Sequence, residues 1–345
     1  MRDHPGRTHP PAGRSRARAS LATGLLLAAA LATGTAALAD IATPSWSGLP
    51  WRSGTSGIPN CLAALRGRAV DAGTLFLANP SFPDLVWQTS TKRAYAGPPL
   101  RVVSLPLLPA DNRGQFAQCA AGQFDGSFRQ VGANLMKAAA PGTVVRLGWE
   151  ANLGSRVHPW GVDGPAQVPA YKACWRHAAL ALKAGGPALN LEWTNGRRTA
   201  NTALRVLDMY PGDDVADLWG VDYYDSGLKA STQALWDAAY KATFNGGPFG
   251  LGTWLAAAEA HGKRLAVSEW GVWRRGATTA AQADDPVYVD NMYRSFRDNA
   301  GSIAYETYFN ADVGDGDHAL CHADGTPTLF PNAAATYKND WGLGQ

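Results

Sequence analysis

Two glutamates each close a strand-like apolar run. Glu150 ends residues 143–152 (TVVRLGWEAN) and Glu269 ends residues 264–271 (RLAVSEWG), with a tryptophan adjoining each. Burial disfavours the charged form of a carboxylate, so a glutamate at the end of a buried strand is costly to place. Two such carboxyls, one protonated and one ionised, can divide the work of breaking a glycosidic bond. One donates a proton to the leaving oxygen and the other attacks the anomeric carbon.

The elements that would position them read as an α/β pattern. Short apolar runs at 74–78, 101–105, 143–149, 189–193, 218–223, 264–269 and 303–309 suit parallel strands covered on both faces. Helical stretches lie between them at 128–140, 168–184, 254–261 and 288–299, two of them ended by Pro-Gly or Gly-Gly-Pro. The alternation and the length predict a (β/α)8 TIM barrel. No Gly-rich phosphate loop follows an early strand, which argues against a dinucleotide fold. Counted back from the C-terminus, Glu150 falls on strand four and Glu269 on strand seven. One N-terminal strand is missing from the count; residues 84–89 (DLVWQT) or a strand starting near Arg68 are the candidates.

In such barrels the C-terminal strand ends carry the chemistry. We assign Glu150 as acid/base and Glu269 as nucleophile. Arg146, four residues before Glu150, shares its strand face because side chains alternate every two residues, and a plain Arg146–Glu150 ion pair is the competing structural reading.

These motifs resemble glycoside hydrolase family 26, over most of residues 70 to 340. The carriers are Arg146, Trp149, Glu150 and Asn152 on strand four, Glu269-Trp270-Gly271 on strand seven, and YPGDDVADLWGVDYYD (residues 210–225) as the strand-six block. The resemblance implies a retaining mechanism with no cofactor, a hydrogen bond from Tyr224 to the nucleophile, and support of the carboxylates by Arg146 and Asp222. Mannan-degrading members usually carry His before the acid/base, where this chain has Trp149. An indole offers one donor and a large face, so the substrate class is left open.

The chain has 13 tryptophans. Aromatic faces stack on the C–H faces of sugars, and Trp149, Trp193 and Trp270, which flank the two glutamates, are expected to do so; Trp160 and Trp273 are further candidates. Trp175, Trp219 and Trp236 sit mid-element among apolar neighbours and are expected to fill packing layers. Asn195 and Asn310, just past strands five and eight, are candidate polar contacts. His158, in the loop after strand four, is expected to be structural. Residues 312–317 (DVGDGD) are oxygen-rich but lack the closing Glu of a calcium loop, and no metal is expected there.

The start of the chain reads as a secretory leader: Arg14, Arg16 and Arg18, an apolar stretch at 21–36, and Ala37-Leu38-Ala39 as a cleavage site. Residues 40–345 would then be one domain, secreted or periplasmic, with no membrane attachment. The leader holds five Arg and one Asp, so removing it lowers the net charge of +3 to about −1. That balance gives no basis for nucleic-acid binding. Four cysteines in an exported chain suggest two disulfides with three possible connectivities, of which we favour Cys119–Cys174 and Cys61–Cys321. The expectation is a monomeric, endo-acting glycosidase on a β-linked polysaccharide or oligosaccharide. The alternatives are a non-catalytic carbohydrate-binding barrel, or an enzyme that transfers glycosyl groups or trims an exopolysaccharide.

Overall fold

A computed structural model describes residues 45–56, 61–91, 97–138, 142–225, 230–314 and 316–342. The expected leader, residues 1–39, lies outside them. Eight parallel strands close into a barrel: β1 (Ser53–Ser56), β2 (Ala72–Phe76), β3 (Leu100–Leu105), β4 (Val144–Leu147), β5 (Asn190–Gly196), β6 (Leu218–Asp225), β7 (Leu265–Val272) and β8 (Ile303–Phe309). Each strand pairs with its neighbours in sequence, and β8 pairs with β1 to complete the ring. Among the helices that cover it are Asp125–Ala138, Val168–Gly185, Leu251–Ala260 and Pro286–Asp298, close to the expected spans.

The missing strand is β1, with the sequence SGTS. Residues 84–89 belong instead to a helix, Phe82–Ser90, whose start is capped by the Ser81 side chain accepting from the Asp84 backbone N–H. The sequence of β1 has no apolar residue because its surroundings are polar and crowded. Ser56 Oγ bonds Thr307 Oγ1 at 3.2 Å, and a Cβ on Gly54 would lie 2.2 Å from the Ala72 carbonyl oxygen. Glycine lets β1 approach β2 that closely.

The bottom of the barrel is apolar, with Ala72, Leu100, Val102, Val144, Leu218, Ala266 and Tyr305 in contact. Above that layer the interior turns polar. Glu192 on β5 is fully buried and accepts from the hydroxyls of Thr194, Ser268 and Tyr305. The opposite strand faces pack against the helices, and that layer buries Trp193, Trp219 and Trp270 from the strands and Trp175, Trp254 and Trp341 from the helices. One cluster surrounds Glu306, whose carboxylate accepts from the indole N–H groups of Trp51, Trp270 and Trp341 at 3.3, 2.6 and 3.0 Å. Trp175, Trp219 and Trp236 are buried, as expected of packing residues.

Both disulfides have the favoured pairing. Cys61–Cys321 joins the segments that follow β1 and β8, and Cys119–Cys174 joins two helices.

Asp340, near the C-terminal end of the helix Pro331–Trp341, is a local weak point. Its Oδ2 is buried without a hydrogen-bond partner, and partial burial, with the charge of Asp290 adding, pushes its carboxyl up to about 6. A raised folded-state value means stability present in acid and lost as pH climbs toward 6. Asp340→Asn is therefore expected to stabilise the protein at pH 7 by about 1 kcal/mol, after allowing for solvent screening of a half-buried group. Thermal melts at pH 7 and pH 4 check this: the gain should vanish at pH 4, and a gain that persisted there would rule out titration as its cause.

Candidate active site

Glu269 reaches the barrel interior through a β-bulge. Gly220 and Asp222 on β6 pair with Ala266 and Glu269 on β7, so between them one residue of β6 opposes two of β7. The same extra residue shows against β8, where Glu306 and Tyr308 pair with Val267 and Trp270. Ala266 lies in the interior apolar layer. By simple alternation Glu269, three residues on, would face the helices. The bulge turns it inward, a common use of bulges beside functional sites.

Glu150 is positioned by a break in β4. The strand ends at Leu147, Gly148 takes a φ of +60°, and Glu150 itself is left-handed at a φ of 54°. A non-glycine residue there is strained and must be held by its surroundings. Its backbone N–H bonds the Thr194 carbonyl at 3.0 Å, which ties the turn to β5. Asn152 ties it again, bonding the Gly196 N–H and the carbonyls of Gly196 and Arg198 at 2.8–3.0 Å. Gly196 leaves space for the carboxylate, since a Cβ there would sit 3.3 Å from Glu150 Oε1.

Arg146 pairs not with Glu150 but with the other acids. Its Nη1 bonds Glu269 Oε1 at 2.8 Å, its Nη2 binds both Asp222 oxygens at 2.7 and 2.8 Å, and its Nε lies 3.6 Å from Glu192. The Tyr224 hydroxyl donates to the other Glu269 oxygen at 2.7 Å. Burial and the adjacent carboxylates hold the Tyr224 phenol well above its usual range, so it stays a donor. Burial also raises the carboxyl of Glu269, and the Glu150 charge adds to this; Arg146 and the Tyr224 hydroxyl oppose it. Asp222 is pushed well above the carboxylate range, mainly by burial, against the pull of Arg146. One guanidinium cannot balance three enclosed carboxylates, so the cluster holds a proton at a pH where separate carboxyls would all be ionised.

His158, read as structural from the sequence, bonds Glu150: Nε2 lies 3.3 Å from Oε2. Its ring stacks on Trp160 at 4.6 Å, and the Trp160 indole N–H donates to the Trp149 carbonyl at 2.7 Å. Trp160 is thus fully buried behind His158 and is not a sugar contact. Trp193 and Trp270, also expected to face sugar, are fully buried in the helix-packing layer. Trp193 lies edge-on to Trp219, and Trp270 stacks on Trp341 and donates to Glu306. Trp149 packs edge-on against Phe76 and is 8% exposed. Asn195 is fully buried, and Asn310 holds the Cys321 segment through its carbonyl and N–H groups. Neither reaches the cleft. In the acidic stretch, Asp317 pairs with Arg274 and Asp312 caps His318 and Ala319; Asp315 lies outside the described residues.

Glu150, Asp222, Tyr224 and Glu269 line one cleft of about 570 Å³ at the C-terminal end of the barrel, together with Trp273, Phe309 and His318. His318 donates from Nδ1 to the Val272 carbonyl and stacks on Trp273. Phe249, Phe309, His318, Arg197, Arg198 and Arg275 also line the cleft, none of them part of a motif in the sequence. Arg197-Arg198 directly after strand five was the available signal.

No protein-family model and no curated protein matches the chain. Solved structures do. A modular endo-β-1,4-mannanase of glycoside hydrolase family 26 from Cellulomonas fimi aligns over 85% of this chain and 71% of its own, at 16% identity and a TM-score of 0.57. The catalytic domain of a family 26 endo-β-1,4-mannanase from Bacillus sp. JAMB-750 aligns over 86% and 88%, at 15% identity and 0.54. Fungal β-1,4-galactanases align over 81% and 89%, at 13% identity and 0.53. At these identities the likeness is one of fold: the chain shares the (β/α)8 barrel of these enzymes.

Proposed function

We infer that the protein is a retaining glycoside hydrolase acting within β-linked polysaccharide chains, as the endo-β-1,4-mannanases of the same fold do. The observation that carries this reading is the pairing of Glu269 with Arg146 and Tyr224 in one cleft with Glu150. Two donors on Glu269 favour the ionised, attacking form. Glu150 shares the cleft but touches neither donor. In the first step a Glu269 oxygen bonds to the anomeric carbon while the glycosidic bond breaks and Glu150 gives its proton to the leaving oxygen. In the second step Glu150 takes a proton from water, whose oxygen attacks the same carbon and frees Glu269. Arg146 and Asp222 hold Glu269 in position, and His158 holds Glu150.

The test is reducing-end release from β-mannan, β-xylan, β-glucans and bacterial exopolysaccharides, by wild type and by Glu150→Gln. We expect cleavage of at least one polymer by wild type and a loss of roughly 100-fold or more in the variant, the usual range for general acid–base catalysis. Equal rates in both would remove Glu150 from the mechanism.

A further inference from the structure

Beyond its three carboxyl groups, the charged lining of the cleft is cationic, and among the described residues it has no side-chain amide. Apart from the groups already assigned, its polar side chains are Arg197, Arg198 and Arg275; among the described residues no Asn, Gln, Ser, Thr or Lys lines it. Arg197 is held in place. Its guanidinium lies 4.2 Å from the Phe249 ring centre and 4.7 Å from that of Tyr223, and Nη1 donates to the Tyr224 carbonyl at 3.2 Å. Among the described residues its Nε and Nη2 have no hydrogen-bond partner, but both atoms are buried, so Arg197 lends the cleft its charge rather than a free donor edge. Arg275 lies over the Trp273 ring at 4.7 Å, and Arg198 is exposed, its carbonyl accepting from Asn152.

Among the described residues, none of the three forms an ion pair with a carboxylate. The contrast is with Arg274, next to Arg275, which bonds Asp317, and with Arg176, which binds Asp214 at two points. The aromatic contacts orient the guanidinium groups of Arg197 and Arg275 without neutralising them. The groove also continues. A second depression of about 450 Å³ shares Leu153 and Ala200 with the cleft and adds Arg156, Ser155, Asp163 and Asn201; the Asp163 Oδ1 accepts from the Ser155 N–H, and the Asn201 amide bonds the Asp163 carbonyl and the Ala203 N–H.

The geometry points to an acidic glycan as the substrate: a β-linked chain whose sugars carry carboxylates, bound by the exposed Arg198 and Arg275 and attracted by the charge of Arg197, in the cleft where Glu150 and Glu269 would cleave it. This rests on the hydrolase reading for the position of the scissile bond. The physical basis is independent of it. A guanidinium binds a carboxylate through a planar pair of donors, and a charge-assisted bond of this kind is about twice as strong as a neutral one. A neutral sugar would offer Arg198 and Arg275 no charge-assisted partner.

The experiment compares β-1,4-linked hexauronates of the manno and gluco series with neutral hexaoses of the same linkage and series. Binding to Glu150→Gln is measured by calorimetry at low salt, and cleavage by wild type is followed in parallel. We expect at least one hexauronate to bind about ten-fold or more tightly than its neutral counterpart, with the preference shrinking as salt rises. The double variant Arg198→Ala/Arg275→Ala, both positions being exposed, should lose most of that preference. Arg297→Ala, at the far end of the barrel, should keep it. Equal or tighter binding of the neutral hexaoses, absence of binding by every hexauronate, or a preference unaffected by the double variant would each overturn the proposal. Arginine-dependent binding with no cleavage of any hexamer would instead sink the hydrolase reading and leave the charge preference standing.

Discussion

Glu269→Ala is expected to lower hydrolysis by at least about 10⁴-fold, close to 5.5 kcal/mol of transition-state stabilisation, while the barrel stays folded. The fold should survive because Arg146 keeps its two bonds to Asp222 when the Glu269 carboxylate is gone. The sharper result is the product formed with azide. With an activated aryl β-glycoside, Glu269→Ala leaves a gap on the face from which the nucleophile attacks. A small anion entering there gives the inverted α-glycosyl azide. Glu150→Ala behaves differently. A leaving group that needs no proton lets Glu269 form the covalent intermediate, which azide then opens to the β-glycosyl azide. The two anomers therefore assign the two roles separately. Swapped anomers would exchange the assignments, and a Glu269→Ala variant retaining a tenth of wild-type activity would end the nucleophile reading altogether.

The parts of this site that were readable from the sequence are those fixed by strand alternation and by the cost of burying charge. Glu150 and Glu269 stood out because an acid at the end of an apolar run must be held there by something. Asp222 and Tyr224, two residues apart on β6, both face the cleft, as alternation requires. The same rule, applied to the neighbours, would have removed Trp193 and Trp270 from the list of sugar contacts. Each adjoins an inward-facing acid, Glu192 or Glu269, and so must point to the helices. The bulge in β7 was not readable, because the stretch AVSE, Ala266 to Glu269, where it lies, has no glycine or other irregularity to mark it. Nor was β1. Its residues answer to the polar interior and the close backbone of β2, and such a strand has no apolar signature. The fit of His158 against Glu150 depends on a loop returning over eight residues, which no local pattern specifies.

Arg146→Met should be among the most destabilising single changes in the molecule. It removes the only cation in direct contact with Asp222, Glu269 and Glu192 among the described residues and leaves a cluster of enclosed carboxyls. Removing one partner of a buried ion pair costs about 3–5 kcal/mol, because the remaining charges have neither water nor a counterion. For a domain of this size that corresponds to a drop in Tm on the order of 10 °C at pH 7. The pH dependence gives the mechanism a sign. In the wild type, burial already holds Glu269, Asp222 and Glu192 above the ordinary carboxyl range, with Arg146 pulling each one down. Without Arg146 their folded-state values rise further. A raised folded-state value adds stability in acid, which is lost as pH rises through it. The gap between variant and wild type should therefore be widest at neutral pH and narrow steadily on acidification. Adding Asp222→Asn removes one of the unpaired charges, so the double variant should recover part of the loss at pH 7 and little at pH 4. Arg146→Lys should recover less than a simple charge count suggests, since one ammonium cannot bridge both Asp222 oxygens and Glu269 together. Chemical denaturation of the four proteins at pH 4 to 8 tests all of this. A variant as stable as wild type at pH 7, or a gap that widens in acid, would show that the carboxyl cluster does not depend on Arg146 for its charge balance.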